Sequence, residues 1–171
     1  MIGLLKKIKL CSLAFSLFFT YVSSASETFE ELSEKMVKKF SVASIDAKTL
    51  KEKLNSSKVI VLDARESSEY KISHIPEAKH VGYKKFDIES TLKKVSFVDE
   101  IIVYCSVGYR SGKIAERLKK KGLKVYNLKG GVFGWANKAY PLVNERAEAT
   151  TDIHGYSRSW SKWLKKGRVR Y

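Results

Sequence analysis

Between Tyr104 and Gly112 the chain reads Tyr-Cys-Ser-Val-Gly-Tyr-Arg-Ser-Gly, which brings a thiol, a glycine and a guanidinium together within one short segment. The apolar run Ile101-Ile102-Val103-Tyr104 precedes it, and a helical pattern from Ser111 to Lys121 follows. A strand–loop–helix connection of this kind can turn its backbone N–H groups toward one point. The helix N-terminus adds unpaired donors and partial positive charge. Arg110 adds a full charge, and Gly108 lets the loop take angles that other residues avoid. A cysteine set there is placed for nucleophilic, covalent chemistry. The competing reading is an inert buried cysteine, which is common for free thiols, and the residue types around Cys105 argue against it.

Other clusters point to less. The three histidines, His74, His80 and His154, are scattered, and no metal-ligand spacing is present. Lys129-Gly130-Gly131 lacks the spacing of a phosphate loop. Asp63 closes the apolar run Val59-Ile60-Val61-Leu62, with Arg65 two residues on. These two either shape the pocket floor or brace the strand end as an ion pair, and bracing is the favoured reading. His74 reads as a hydrogen-bonded turn residue rather than a general base.

Stepping outward, Val59–Leu62 and Ile101–Tyr104 are continuous apolar runs, as expected of strands covered on both faces. Val125–Leu128 reads as a third strand and His80–Tyr83 as a short one. Helical spacing covers Lys48–Leu54 with Asp46 as N-cap, Glu66–Ile72, Asp87–Val95, Ser111–Lys121 and Val132–Ala139. Alternation of strands and helices predicts an α/β domain with a mostly parallel central sheet of about five strands. Ligands bind beyond the carboxyl ends of such strands, where Asp63 and Cys105 both lie.

The flanks differ in character. Lys6, Lys7 and Lys9 precede an apolar run from Leu10 to Val22, and Ser23-Ser24-Ala25 follow. That is the pattern of a secretory signal peptide over residues 1–25, cleaved after Ala25. An uncut anchor is the lesser alternative, because the run is short for a membrane span. The expected location is therefore exported, periplasmic or secreted. Cleavage leaves Cys105 as the remaining cysteine and lowers the net charge from +15 to +12 by loss of the three lysines. Such a balance suits anionic small substrates or surfaces, with nucleic acid disfavoured outside the cytoplasm. Residues 26–41 read as a leading helix, 42–143 as the catalytic domain, and 144–171 as a basic, aromatic extension. In that extension Trp160, Trp163 and Leu164 fall at i, i+3 and i+4. Residues 156–171 are therefore expected to form a terminal helix. It either packs its tryptophans on the domain, the favoured reading, or makes a weak contact with anionic membrane.

Three stretches resemble the rhodanese-like domain. Asp63-Ala64-Arg65 with Glu69-Tyr70 is similar to the family's Asp-x-Arg-x-x-x-Glu-[Tyr/Phe] signature. Ser73-His74-Ile75-Pro76-Glu77-Ala78 is similar to its Gly-His-Ile-Pro-Gly-Ala. The cysteine loop, with Asn127-Leu128-Lys129-Gly130-Gly131-Val132-Phe133-Gly134-Trp135, completes the set in the same order. The resemblance implies a rhodanese-like three-layer fold and a sulfurtransferase. Cys105 would take sulfane sulfur from thiosulfate or a persulfide, including a protein persulfide, and pass it to a thiol or cyanide. Ser106, Val107, Gly108, Tyr109 and Arg110 would bind the substrate and the anionic persulfide, with Asp63 and Arg65 in support. No metal or organic cofactor is needed. Ser73 and Glu77 depart from glycine, with local backbone effects expected. Glu69 stands where some thiosulfate-using relatives carry an arginine. Two rivals remain: a sulfur-relay or partner-binding module without turnover, and a phosphatase or arsenate reductase. Four residues lie between Cys105 and Arg110, one fewer than in the loops of those last enzymes, which fits a single sulfur better than a phosphate.

Overall fold

The computed structural model describes residues 26–171. The expected signal peptide at residues 1–25 lies outside the described residues. Among the described residues, no helix is long and apolar enough to cross a membrane.

The elements follow in the order α1 (Phe29–Val37), β1 (Ala43–Ile45), α2 (Ala47–Lys53), β2 (Val59–Asp63), α3 (Ser67–Ile72), β3 (Lys79–His80), α4 (Ile88–Val95), β4 (Glu100–Tyr104), α5 (Tyr109–Lys119), β5 (Val125–Leu128), α6 (Gly131–Asn137), β6 (Leu142–Val143), β7 (Ala149–Thr150), β8 (Asp152–His154), α7 (Arg158–Ser161) and β9 (Arg168–Arg170). Five strands form one parallel sheet in the order β1-β5-β4-β2-β3. The fold is the expected three-layer α/β arrangement. Alternation along the central strands explains the layers, since successive side chains point to opposite faces. Ile102 and Tyr104 of β4 join one apolar cluster with Leu50 and Trp135, on the side of α2 and α6. Ile101, Val103 and Cys105 join the other, with Val95, Ile114 and Leu118 from α4 and α5. Both faces of β4 are buried, which is why its sequence carries no polar alternation.

The helices start where their sequences allow. Thr28 caps α1 through a capping box with Glu31, Asp46 accepts the Thr49 N–H at 2.8 Å, and Asp87 accepts those of Glu89 and Ser90. Glu77, in place of the family's glycine, takes a left-handed φ of 64°. Ser73 is extended at φ −167°, a conformation open to any residue.

Two sequence expectations need correction. The strand expected over His80–Tyr83 is shifted to Lys79–His80 and stops there, because the N–H groups of Val81 and Gly82 both turn back to the Asp63 carbonyl. The helix expected over residues 156–171 is also absent. That segment holds only the short α7, after which the chain turns at Gly167 into β9, which pairs in parallel with β8. Asp152 accepts hydrogen bonds from both Arg168 and Arg170, fixing the register. Trp160, Trp163 and Leu164 do pack on the domain, against the cluster that contains Trp135. β1 and the β6–β7 hairpin were not anticipated as strands.

The start of α6 presses on the cysteine loop. Gly131 has φ 53°, and a Cβ there would stand 2.3 Å from the Cys105 carbonyl oxygen. Both the conformation and the close approach demand glycine. Gly131→Ala is expected to cost about 2–3 kcal/mol of stability in urea unfolding monitored by tryptophan fluorescence, whereas an alanine at Gly122, where no atom lies within 4 Å, should cost less.

Candidate functional site

Cys105 follows the last residue of β4 and is 1% exposed, at the floor of a cleft of about 340 Å³. The loop that continues to α5 is held from behind by three donors. The Val132 N–H binds the Cys105 carbonyl at 2.8 Å and the Phe133 N–H binds the Ser106 carbonyl at 3.1 Å. Asn127 Nδ2 binds the Gly108 carbonyl at 2.8 Å. In a planar trans peptide the C=O and N–H point to opposite sides. With these carbonyls fixed toward α6 and β5, the N–H groups of Ser106, Val107 and Tyr109 face the other way. The Gly108 N–H reaches the sulfur itself, at 3.2 Å. Gly108 takes φ 110° as the residue that caps α5. The first N–H groups of α5 have no carbonyl one turn back.

Ser111, one turn into α5, donates to Asn127 Oδ1 at 2.7 Å, and its oxygen lies 3.4 Å from Cys105 Sγ. Asn127 thus links the loop carbonyl, the serine and the sulfur from β5. Neither residue was singled out in the sequence. The signal for both is that a polar side chain stands where the pattern of a buried strand or helix calls for an apolar one, and each is buried.

Arg110 does not stand free. Its Nη1 and Nη2 donate to the two carboxylate oxygens of Glu69 at 2.6 and 2.7 Å, and Nη2 also donates to Ser106 Oγ at 3.0 Å. Burial raises the Glu69 pKa, but the Arg110 hydrogen bonds and charge outweigh it and hold the carboxyl below its ordinary range. The bidentate geometry is the strong form of this contact. Glu69 is therefore the direct partner of the loop arginine.

Asp63 and Arg65 lie apart from the cleft lining. They form a fully buried ion pair at 2.7 Å. Asp63 also accepts the Tyr104 hydroxyl at 2.6 Å, and that oxygen accepts the Ile75 N–H at 3.2 Å. Arg65 donates to the Ser73 carbonyl at 2.6 Å. The network ties the carboxyl ends of β2 and β4 to the following turn, which is the bracing arrangement. His74 stacks on Tyr70 at 3.8 Å and its Nδ1 lies 3.0 Å from the Tyr70 carbonyl. His80 Nε2 contacts the Arg65 carbonyl at 2.8 Å. Both sit in turn hydrogen bonding. His154 belongs to β8. Among the described residues no group of three or more potential ligands is placed to hold a metal.

The family model of the rhodanese-like domain matches residues 46–138, the stretch that carries β2, the cysteine loop, α5 and α6. The chain belongs to the rhodanese-like domain family. Among curated relatives of this rhodanese-like protein is YrkF of Bacillus subtilis, whose name is that of a candidate sulfur carrier. It is 33% identical over 100 residues, which cover 57% of this chain and 53% of YrkF. The matched region is thus about half of that relative. A protein named sulfurtransferase from Allochromatium vinosum is 28% identical over 104 residues, covering 60% of this chain and 95% of that one. The solution structure of the rhodanese-like domain of Alr3790 from Anabaena is 25% identical with a TM-score of 0.53, covering 59% of this chain and 78% of that domain.

A carboxyl with a lowered pKa in the folded state stabilises the fold above its unfolded pKa, and this contribution is lost as pH falls through the folded value. For Glu69 the loss starts below about pH 4.3. Glu69→Gln should lower stability by about 1.5–3 kcal/mol near neutrality. In chemical denaturation as a function of pH, the wild-type advantage should shrink as pH falls below that point, and a constant difference would contradict the pairing.

Proposed function

We propose that this rhodanese-like protein is an exported sulfurtransferase that carries sulfur as a persulfide on Cys105. The carrying observation is the loop itself: the sulfur sits at the cleft floor, with the Gly108 N–H already directed at it. The names of the sulfurtransferase and sulfur-carrier relatives support the same chemistry, and the composition of residues 1–25 supports export.

In the first step the Cys105 thiolate attacks the outer sulfur of a sulfane donor. With thiosulfate, the donor S–S bond breaks, its electron pair leaves with sulfite, and a new S–S bond forms on Cys105. The resulting persulfide is an anion. Loop N–H groups and the start of α5 meet that charge without reorganising, as a preorganised anion hole does. In the second step a thiol or cyanide attacks the outer sulfur and the Cys105 thiolate leaves. Cyanide thereby becomes thiocyanate. Charge and atoms balance in both steps, with no oxidant. The Glu69–Arg110 pair holds the side of the loop, and the Asp63–Arg65–Tyr104 network holds its base.

The loop length supports sulfur over phosphate. The four intervening residues close around one atom, with Gly108 reaching back to the sulfur, leaving less room for a tetrahedral oxyanion.

Intact-mass measurement after incubation with thiosulfate and with organic sulfane donors tests the proposal. One added sulfur is expected, removed by cyanide and absent from Cys105→Ser. No adduct from any donor, or an adduct that survives in Cys105→Ser, would overturn it.

A further inference from the structure

The stretch that matches the family ends at residue 138, and the chain beyond it returns to the cleft. β8 ends at His154 and α7 starts at Arg158. Between them Tyr156 stands at the apex of a tight turn and lines the cleft together with Arg110.

The turn is clamped from several sides. The Gly155 N–H donates to the Arg170 carbonyl of β9 at 3.0 Å, and the Ser157 N–H donates to the Gly155 carbonyl at 2.7 Å. Gly155 is buried, and a Cβ there would stand 2.7 Å from Val169 Cγ1 and 2.9 Å from Ser161 Cβ, so β9 and α7 close on it directly. The Tyr156 N–H donates to His154 Nδ1 at 2.9 Å. Beyond the turn, Asn137 of α6 binds the Trp163 carbonyl and the Lys165 N–H at 2.9 and 2.7 Å, which ties the extension to the matched domain.

Tyr156 has φ 62° at the centre of a three-residue turn closed from Ser157 to Gly155. That turn form is rare and strained, and glycine is the residue that takes it without cost. Chain reversal therefore does not account for a tyrosine. Burial does not account for it either, since the residue is 49% exposed. What the conformation achieves is placement of the ring: Arg110 Cζ lies over it, 4.9 Å from its centroid, and Trp160 stands at its edge. Strained backbone persists only where its surroundings enforce it, and it concentrates at functional sites.

The contact completes the surroundings of Arg110. Its hydrogen bonds to Glu69 and to Ser106 Oγ use the polar fork of the guanidinium, and such bonds run in its plane. The Tyr156 ring adds attraction to the cation itself. Ser106, next to Cys105, is held in turn, because its hydroxyl also donates to Glu69 at 3.3 Å. A chain of contacts therefore runs from the extension through Arg110 and Ser106 to the residue beside the thiol.

We infer that Tyr156 is a positioning residue for sulfur transfer: it holds the Arg110 guanidinium against the cysteine loop, so that the C-terminal extension completes the site. This rests on the sulfur-transfer reading above and adds to it a residue from beyond the matched stretch.

Single-turnover loading of Cys105 by thiosulfate and by the methanethiosulfonate anion, followed by intact mass on the full chain, tests the assignment and stays readable when loading is slow. Tyr156→Gly removes the ring and suits the backbone. Relieved strain offsets the lost ring contacts, so its urea midpoint should stay near that of the wild type, while loading slows by about fivefold or more with either donor. Tyr156→Phe keeps the ring and should restore most of the rate. In an Arg110→Lys background, which lacks the planar guanidinium, Tyr156→Gly should slow loading by less than about twofold further, as expected when one residue acts through the other. Wild-type loading by Tyr156→Gly, a sharply lowered midpoint in that variant, or equal slowing with and without Arg110 overturns the assignment and leaves sulfur transfer intact. If neither donor loads the wild type, the sulfur-transfer reading falls with it.

Discussion

The structure turns on where three carbonyls point. Those of Cys105, Ser106 and Gly108 are bound by the N–H groups of Val132 and Phe133 and by the Asn127 side chain. Once those oxygens are committed to α6 and β5, planarity of the peptide leaves the loop N–H groups facing the other side. A loop free to relax would rotate some of these carbonyls toward the thiol, and an anion there would meet repulsion instead of donors. The glycine at position 131 follows from the same constraint, since any Cβ would push α6 off the Cys105 carbonyl.

Two charged networks hold this loop for different reasons. The Asp63–Arg65 pair is wholly buried and gains little net stability from its charges, because desolvation offsets attraction. Its contribution is geometric: with Tyr104 it fixes the ends of β2 and β4. The Glu69–Arg110 pair is partly open to the cleft and sets the charge a substrate meets. In the sequence Arg110 read as a free cation for an anionic donor. The structure gives it a carboxylate partner, so much of its charge is already matched.

The central part of this fold was legible because its signals are local. Val59–Leu62 and Ile101–Tyr104 are unbroken apolar runs, Asp46 and Asp87 cap helices, and the glycine and arginine after Cys105 sit in one continuous segment. What was not legible depends on distant pairing. β1 has only three residues and becomes a strand through β5. β8 and β9 find each other across α7, with Asp152 between two arginines. Trp160 keeps helical spacing with Trp163 and Leu164, so its place in the cleft lining, with Cys105 and with Met36 of α1, could not be read from spacing. Glu69 stands in the sequence as a signature position and as a departure from an arginine, but its pairing with Arg110 is not legible there, because that partner lies 41 residues away.

The central claim is that the loop around Cys105 is built to hold an anionic outer sulfur. A crystal structure of the protein after loading with a sulfane donor tests it most directly. The account predicts density for one extra atom on Cys105 Sγ, within hydrogen-bond distance of the loop N–H groups between Ser106 and Arg110. An extra sulfur pointing away from those donors, or bound to any other residue, would contradict it.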